Sequence, residues 1–199
     1  HALYLQGMYL WNRRTGPAIH QAIKLFEQAV TRDPKYARAH AGISLAYTVL
    51  PFYEDGNGDS LTERGRVAAA RALELDSTLA EAWTARAYGE KQRWENAQAE
   101  RDFARAIGYD STFATARFWN GLLLQHIGRV DDAQREMDAA SRLEPTSPVI
   151  LSGRAQLFAE RRRYDEAIAI NRGVLALDST SALVKFFLGW VLSQSGQHE

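Results

Sequence analysis

The side chains capable of chemistry are scattered through this chain of 199 residues. There is no cysteine, so disulfides, thiolate metal sites and thiol nucleophiles are all excluded. The five histidines, at positions 1, 20, 40, 126 and 198, show none of the spacings that bring two imidazoles to one metal. No G-x-x-x-x-G-K-[ST] phosphate loop, H-E-x-x-H helix or G-x-S-x-G elbow is present. Asp55, Asn57 and Asp59 imitate the opening of a calcium loop. The imitation ends at Ser60, where the sharp turn needs glycine, and at Arg66, where a bidentate glutamate belongs. Arg13-Arg14 and Arg161-Arg162-Arg163 could hold phosphate. With 24 basic and 24 acidic side chains, however, the chain has no net charge, and a nucleic-acid binder needs a concentrated basic surface. Both clusters read as solvated turns. The expectation is no enzyme, no cofactor, no metal and no nucleic-acid partner, any catalytic domain lying outside this chain.

A chain without a reactive centre acts through its surfaces, which depend on how its elements stack. The stretch from Ala114 to Pro145, ATARFWNGLLLQHIGRVDDAQREMDAASRLEP, predicts two helices and a turn. Thr115, Phe118, Leu122 and Gln125 recur at helical spacing, with Gly121 and Leu124 on a neighbouring face. Gly128 stands where a helix stops in a left-handed residue. Asp131 and Asp132 open the second helix, where acids suit the dipole. Ala133, Met137 and Ala140 form its small-residue stripe, and Pro145 ends it. Comparable turns recur as Asp33-Pro34, Asp76-Ser77, Asp110-Ser111, Glu144-Pro145 and Asp178-Ser179. The step is 34 from 77 to 111, from 111 to 145 and from 145 to 179, but 43 from 34 to 77, an insertion of 9. A fixed period of about 34 residues marks stacked helix-turn-helix units, none of which can bury its apolar faces alone.

This pattern resembles the tetratricopeptide repeat (TPR) family. The resemblance is carried by small residues in the first helix of each unit: Gly7, Ser44, Ala87, Gly121, Ala155 and Gly189. It is carried also by an early alanine in the second helix (Ala22, Ala99, Ala133, Ala167) and one near its end (Ala29, Ala72, Ala106, Ala140). It implies an all-α fold, a TPR superhelix or α-solenoid of about eleven helices in a single array over 1–199. The repeats fall at about 1–34, 37–77 with an inserted loop at 51–60, 80–111, 114–145 and 148–179, with a partial unit at 182–199. Trp94 and Phe103 read as core anchors, and Gly65 stands where other units carry alanine. Asn171 replaces a large apolar residue and should weaken its unit.

In TPR proteins the first helices line a concave face that holds a peptide or a partner's helix. The resemblance therefore implies a protein or peptide partner contacting Tyr4, Met8, Trp11, Arg38 and Leu45, then Thr84, Tyr88 and Lys91, then Phe118, Leu122 and Gln125, then Ser152, Gln156, Phe186 and Trp190. The lysine, asparagine and arginine clamp that grips a terminal carboxylate in the chaperone-binding members is lacking. Tyr88, Phe118 and Leu122 suggest an apolar or amphipathic ligand. Two stretches, GMYLWNRRT from Gly7 and WENAQAERDF from Trp94, resemble the TPR arrays of bacterial signalling proteins: adenylate or guanylate cyclases, Ser/Thr kinases and winged-helix regulators. The implied role is a regulatory scaffold in such a protein. The alternative is self-assembly through the last helix, whose Phe186, Phe187, Trp190 and Leu192 form an apolar flank, so that the chain is expected to continue or to dock there on another molecule. No apolar run approaches the ~20 residues of a membrane span, and the expected compartment is the cytoplasm. The first residue is His1 rather than methionine, which reads as a fragment with its own start elsewhere.

Overall fold

The computed structural model describes residues 1–54, 58–177, 179 and 182–196. Among the described residues there are eleven α-helices, one 3-10 turn and no strand. They fall into two compact units, His1–Ala116 and Arg117–Glu199.

The first unit holds α1 (Ala2–Asn12), α2 (Gly16–Arg32), α3 (Ala37–Val49), α4 (Gly58–Leu75), α5 (Ala80–Gln92) and α6 (Asn96–Tyr109). Each odd-numbered helix forms an antiparallel pair with its successor. Two element boundaries are informative. Pro17 lies in the first turn of α2, where its missing N–H costs nothing, so that helix starts at Gly16. The insertion is partly structured: Leu50–Phe52 is a 3-10 turn continuing α3, and α4 begins at Gly58, before the expected end of the loop.

Small residues set the helix crossings in this unit. The Phe26 ring fills the space where side chains on Gly7 and Gly42 would stand, a Cβ on Gly42 lying 2.7 Å from its Cε1. Gly65 brings α4 against α3 closely enough for the Ser44 hydroxyl to donate to its carbonyl at 2.7 Å. The turns that mark the period are held by aspartates. Asp76 accepts from the backbone N–H and hydroxyl of Thr78 at 2.9 and 2.6 Å, and Asp110 does the same with Thr112 at 2.8 and 2.7 Å. A short side-chain acceptor closing a turn on the residue two further on explains the Asp that opens the dipeptides at 76 and 110.

The second unit contains α7 (Ala114–His126) from Arg117 onward, α8 (Val130–Leu143), α9 (Pro148–Glu160), α10 (Tyr164–Leu177) and α11 (Ala182–Ser195). Met137 of α8 packs on Gly121 of α7, where a Cβ would lie 2.8 Å from its Cγ. Ala155, Phe158, Ala159, Ala167, Ile168 and Val191 form a core cluster joining α9, α10 and α11. Gly128 has φ +81°, the left-handed stop expected of it, and Arg14, Trp94 and Arg162 adopt the same conformation in their turns at φ 51°, 65° and 59°.

Asn171 occupies the register of Phe103 and Met137, each 34 residues before the next, and is fully buried. Neither its Nδ2 nor its Oδ1 has a hydrogen-bond partner among the described residues. A buried amide left without partners costs about 1–3 kcal/mol. Asn171→Met, flexible enough to fit the site, is expected to stabilise the second unit by about that amount in urea unfolding. A lower midpoint in the variant would show that the amide is satisfied.

Candidate partner-binding faces

The first helices of the pairs, α1, α3, α5, α7, α9 and α11, carry every residue expected to meet a partner. The structure divides that set by exposure. In the first unit Trp11, Leu45 and Thr84 are fully buried, and Tyr4 and Tyr88 nearly so. They are interior residues rather than free contacts, and the reasons are local. The Tyr4 ring meets Phe26 and Tyr36, both at 5.9 Å, while its hydroxyl donates to Glu81 at 3.3 Å. Burial, together with the Glu81 charge, pushes that phenol's pKa up. The Thr84 hydroxyl turns back on its own helix to the Ala80 carbonyl at 2.7 Å. Arg38 is exposed, and Met8 and Lys91 are half-buried.

In the second unit Phe118 and Ser152 are buried, the Phe118 ring lying where a side chain on Gly153 would stand. Tyr88 and Phe118, expected at the centre of the groove, are therefore both core residues. Leu122, Gln125 and Gln156 are half-buried, and Glu160 accepts from Gln125 at 2.5 Å and from Gln156 at 3.3 Å. Phe186 is 69% and Trp190 37% exposed, one helical turn apart on α11. Leu122, Gln156 and Trp190 share one register, 34 residues apart in successive first helices.

Trp94 is corrected from core anchor to surface residue, 72% exposed, because its left-handed backbone ends α5 and turns the side chain outward. Phe103 is fully buried as expected. The turn arginines are tied to acids: Arg161 donates to Asp131 at 2.8 Å and to Gln134 at 2.9 Å, and Arg163 pairs with Glu166. The calcium-like residues Asp55 and Asn57, and the side chain of Asp59, lie outside the described residues. Among the described residues no group of three His, Asp or Glu could hold a metal.

Sequence reasoning missed two features of the first unit. Arg86 pairs with Glu90 at 3.6 Å, as its spacing suggests, but its main partner is the fully buried Asp102 of α6 at 2.5 Å, which also accepts from Gln98 and Arg105, both at 3.1 Å. Arg86 and Arg105 both cover the Trp83 ring, at 4.2 and 4.8 Å. The second feature is the insertion, which folds back across the pairs. Glu54 contacts His20 of α2, the Tyr53 carbonyl lies 3.4 Å from where a Cβ on Gly16 would stand, and Phe52 meets Tyr88 of α5 edge-on at 6.3 Å. The 34-residue period announces neither, since Arg86 and Asp102 stand 16 apart within one repeat and the insertion has no counterpart in the other repeats.

Comparison with known proteins agrees with this architecture. Residues 120–182 match the family model of the tetratricopeptide repeat. Superkiller protein 3 of Schizosaccharomyces pombe is 25% identical over the whole chain, which spans only 14% of that protein's length. Anaphase-promoting complex subunit 3 of the same yeast is 23% identical over 65% of the chain, covering 19% of its own length. The crystal structure of TTC0263, a TPR protein of Thermus thermophilus, shares the fold with a TM-score of 0.75 at 18% identity, covering 96% of this chain and 98% of the other. No helix among the described residues is long and apolar enough to cross a membrane. The segment 120–182 is thus similar to the tetratricopeptide repeat, and the helical pairs give the chain the fold of the TPR protein it resembles.

Proposed function

We propose that this protein–protein interaction module holds a partner segment on the first helices of its second unit, along the row Leu122, Gln156 and Trp190, with Phe186 beside it. The observation that supports this reading is the exposure of two large aromatic side chains, Phe186 and Trp190, on one face of α11, Trp190 being in register with the half-buried Leu122 of α7 and Gln156 of α9. Aromatic anchors of this kind dominate binding energy once desolvated. The contact is amphipathic: Leu122, Phe186 and Trp190 supply apolar area while Gln125, Gln156 and Glu160 supply a polar edge. In the same reading Arg38, Met8 and Lys91 are the accessible remainder of the first unit's set. The wider role is a regulatory region of a larger cytoplasmic bacterial signalling protein such as an adenylate cyclase, supported by the stretches beginning at Gly7 and Trp94.

A second reading, self-assembly through α11, is favoured by the same exposed Phe186. The two separate cleanly. Sedimentation velocity over a hundredfold range of concentration should show one species if α11 serves a foreign partner, and a rising mass if it serves a second copy. For a partner segment recovered with the intact protein, Trp190→Ala is expected to weaken binding by roughly thirtyfold, the equivalent of about 2 kcal/mol. Arg162→Ala should leave affinity within about twofold, as a solvated turn residue would. Equal losses from both, or none from Trp190→Ala, would move the site elsewhere.

A further inference from the structure

Two helices hold one carboxylate on the exposed row of the second unit. Glu160, the last residue of α9, is exposed, and its two oxygens accept from different amides. Its Oε2 accepts from Gln125 of α7 at 2.5 Å and its Oε1 from Gln156 of α9 at 3.3 Å. An ionised carboxylate offers about four lone-pair positions, so one pinned in this way still receives donors from a further side. Trp190 is in register with Gln156, one helical turn before Glu160. Ala159 and Val191, the sequence neighbours of Glu160 and Trp190, meet in one core cluster, so the acid and the indole stand on adjoining helices.

Helix ends add to the negative charge there. α7 ends at His126 and α9 at Glu160, and the last carbonyls of a helix carry about half a negative charge. Gln125 and Glu160 sit in those last turns, so the acid stands against the dipole and a cation beside it is favoured. Three bases of α9 and its turn are committed to other acids: Arg154 donates to Asp138 at 2.5 Å, Arg161 to Asp131 at 2.8 Å, and Arg163 pairs with Glu166.

Resting on the reading that this row holds a partner segment, we propose that the segment is basic. One of its arginines donates to Glu160 and lies against the Trp190 ring, while an apolar neighbour covers Phe186. A guanidinium suits both surfaces, since its N–H groups match a carboxylate and its plane stacks on an aromatic face. The charge complement is the reverse of that in a clamp for terminal carboxylates. An exposed ion pair and a cation over an indole are each worth a few-fold in affinity, about tenfold together.

The test uses the intact chain at pH ~8, where an ordinary histidine is neutral, and the fluorescently labelled peptide Ac-Gly-Leu-Arg-Phe-Gly-NH2. Comparison peptides replace the arginine by citrulline, which keeps the shape without the charge, or by glutamate. Anisotropy should place Arg above citrulline by about tenfold, with Glu weakest. Glu160→Gln should cut the preference for Arg over citrulline to a few-fold, and Glu160→Lys should reverse the order of the Arg and Glu peptides. Trp190→Ala should weaken both the Arg and the citrulline peptide. Circular dichroism of each variant verifies its fold. Equal binding of the Arg and citrulline peptides, an unchanged order in Glu160→Lys, or no binding at millimolar peptide would overturn the proposal. If Trp190→Ala weakens binding in either of the first two cases, the row remains a docking face and only its preference for a base is lost. Binding untouched by Trp190→Ala would remove the row itself, and the proposal with it. A free protein whose mass rises with concentration, and which the Arg peptide does not dissociate, would assign the row to a second copy and overturn the proposal too.

Discussion

Phe26→Ala is expected to destabilise the first unit by about 3–5 kcal/mol, the range for removing a fully buried aromatic ring. The ring sits between two helices that approach it without side chains, Gly7 of α1 and Gly42 of α3, so its loss leaves a cavity that the backbone cannot readily close. The same geometry makes a stronger statement in combination. Gly42→Ala alone places a Cβ 2.7 Å from the ring and should cost about 1–3 kcal/mol by overpacking. In the Phe26→Ala background that methyl enters the vacated space and its cost should vanish, a coupling well above the few tenths expected of independent sites. Urea unfolding followed by circular dichroism measures all four corners of the cycle, after a test for two-state behaviour in each. Additive costs would mean that the ring swings away from Gly42 and that the crossing of α1, α2 and α3 is not built on it.

The second large effect is a pH dependence centred on Glu90. Its side chain, on α5, is buried, and its Oε2 has no hydrogen-bond donor among the described residues. Burial above all, then the negative charge of Asp102, pushes its pKa up to about 7, with Arg86 opposing the rise. Because the folded value lies above the unfolded value of 4.5, the folded state binds more protons between those limits. The favourable contribution is complete below the unfolded pKa, is lost as pH rises toward about 7, and stays lost above it. A shift of this size corresponds to about 3 kcal/mol. Glu90→Gln keeps the shape without the charge, so it should stabilise the first unit by about 3 kcal/mol at pH ~8 and by little at pH ~4.5. Unfolding free energies of both proteins across that range measure the difference. A gap that does not change with pH would show that Glu90 is ionised throughout, with Arg86 satisfying it.

The alternation of helices was legible because a repeat array repeats its physics. Every unit meets the same kind of neighbour, so the same constraint recurs at the same interval. Gly121 admits Met137, Asp76 and Asp110 close identical turns, and Gly128 stops a helix in the left-handed region. Each of these is written within one pair of helices, where residues a few positions apart decide the outcome. The odd place of Asn171, a buried amide without a partner among the described residues, was legible for the same reason, since it breaks a register that Phe103 and Met137 establish.

The accessible surface was not legible in the same way. Tyr88, Phe118 and Trp190 all sit at plausible partner-facing positions of first helices, yet the first two are buried and the third is open. Their spacing is helical in every case. What differs is the neighbour: Phe52 from the insertion lies against Tyr88, and the bare Gly153 receives Phe118. Trp94 failed in the opposite direction, because a single left-handed residue redirects a side chain that composition would place inside. The Arg86–Asp102 pair lies within one repeat and the folded-back insertion occurs in one repeat alone, and a periodic pattern is blind to both. By itself, then, the sequence determined the helices, their pairing and the turns that end them, all set by short-range stereochemistry repeated at a fixed interval. Tertiary structure alone decided which of those side chains meet solvent and which charges are buried together, because burial depends on what fills the space opposite a residue.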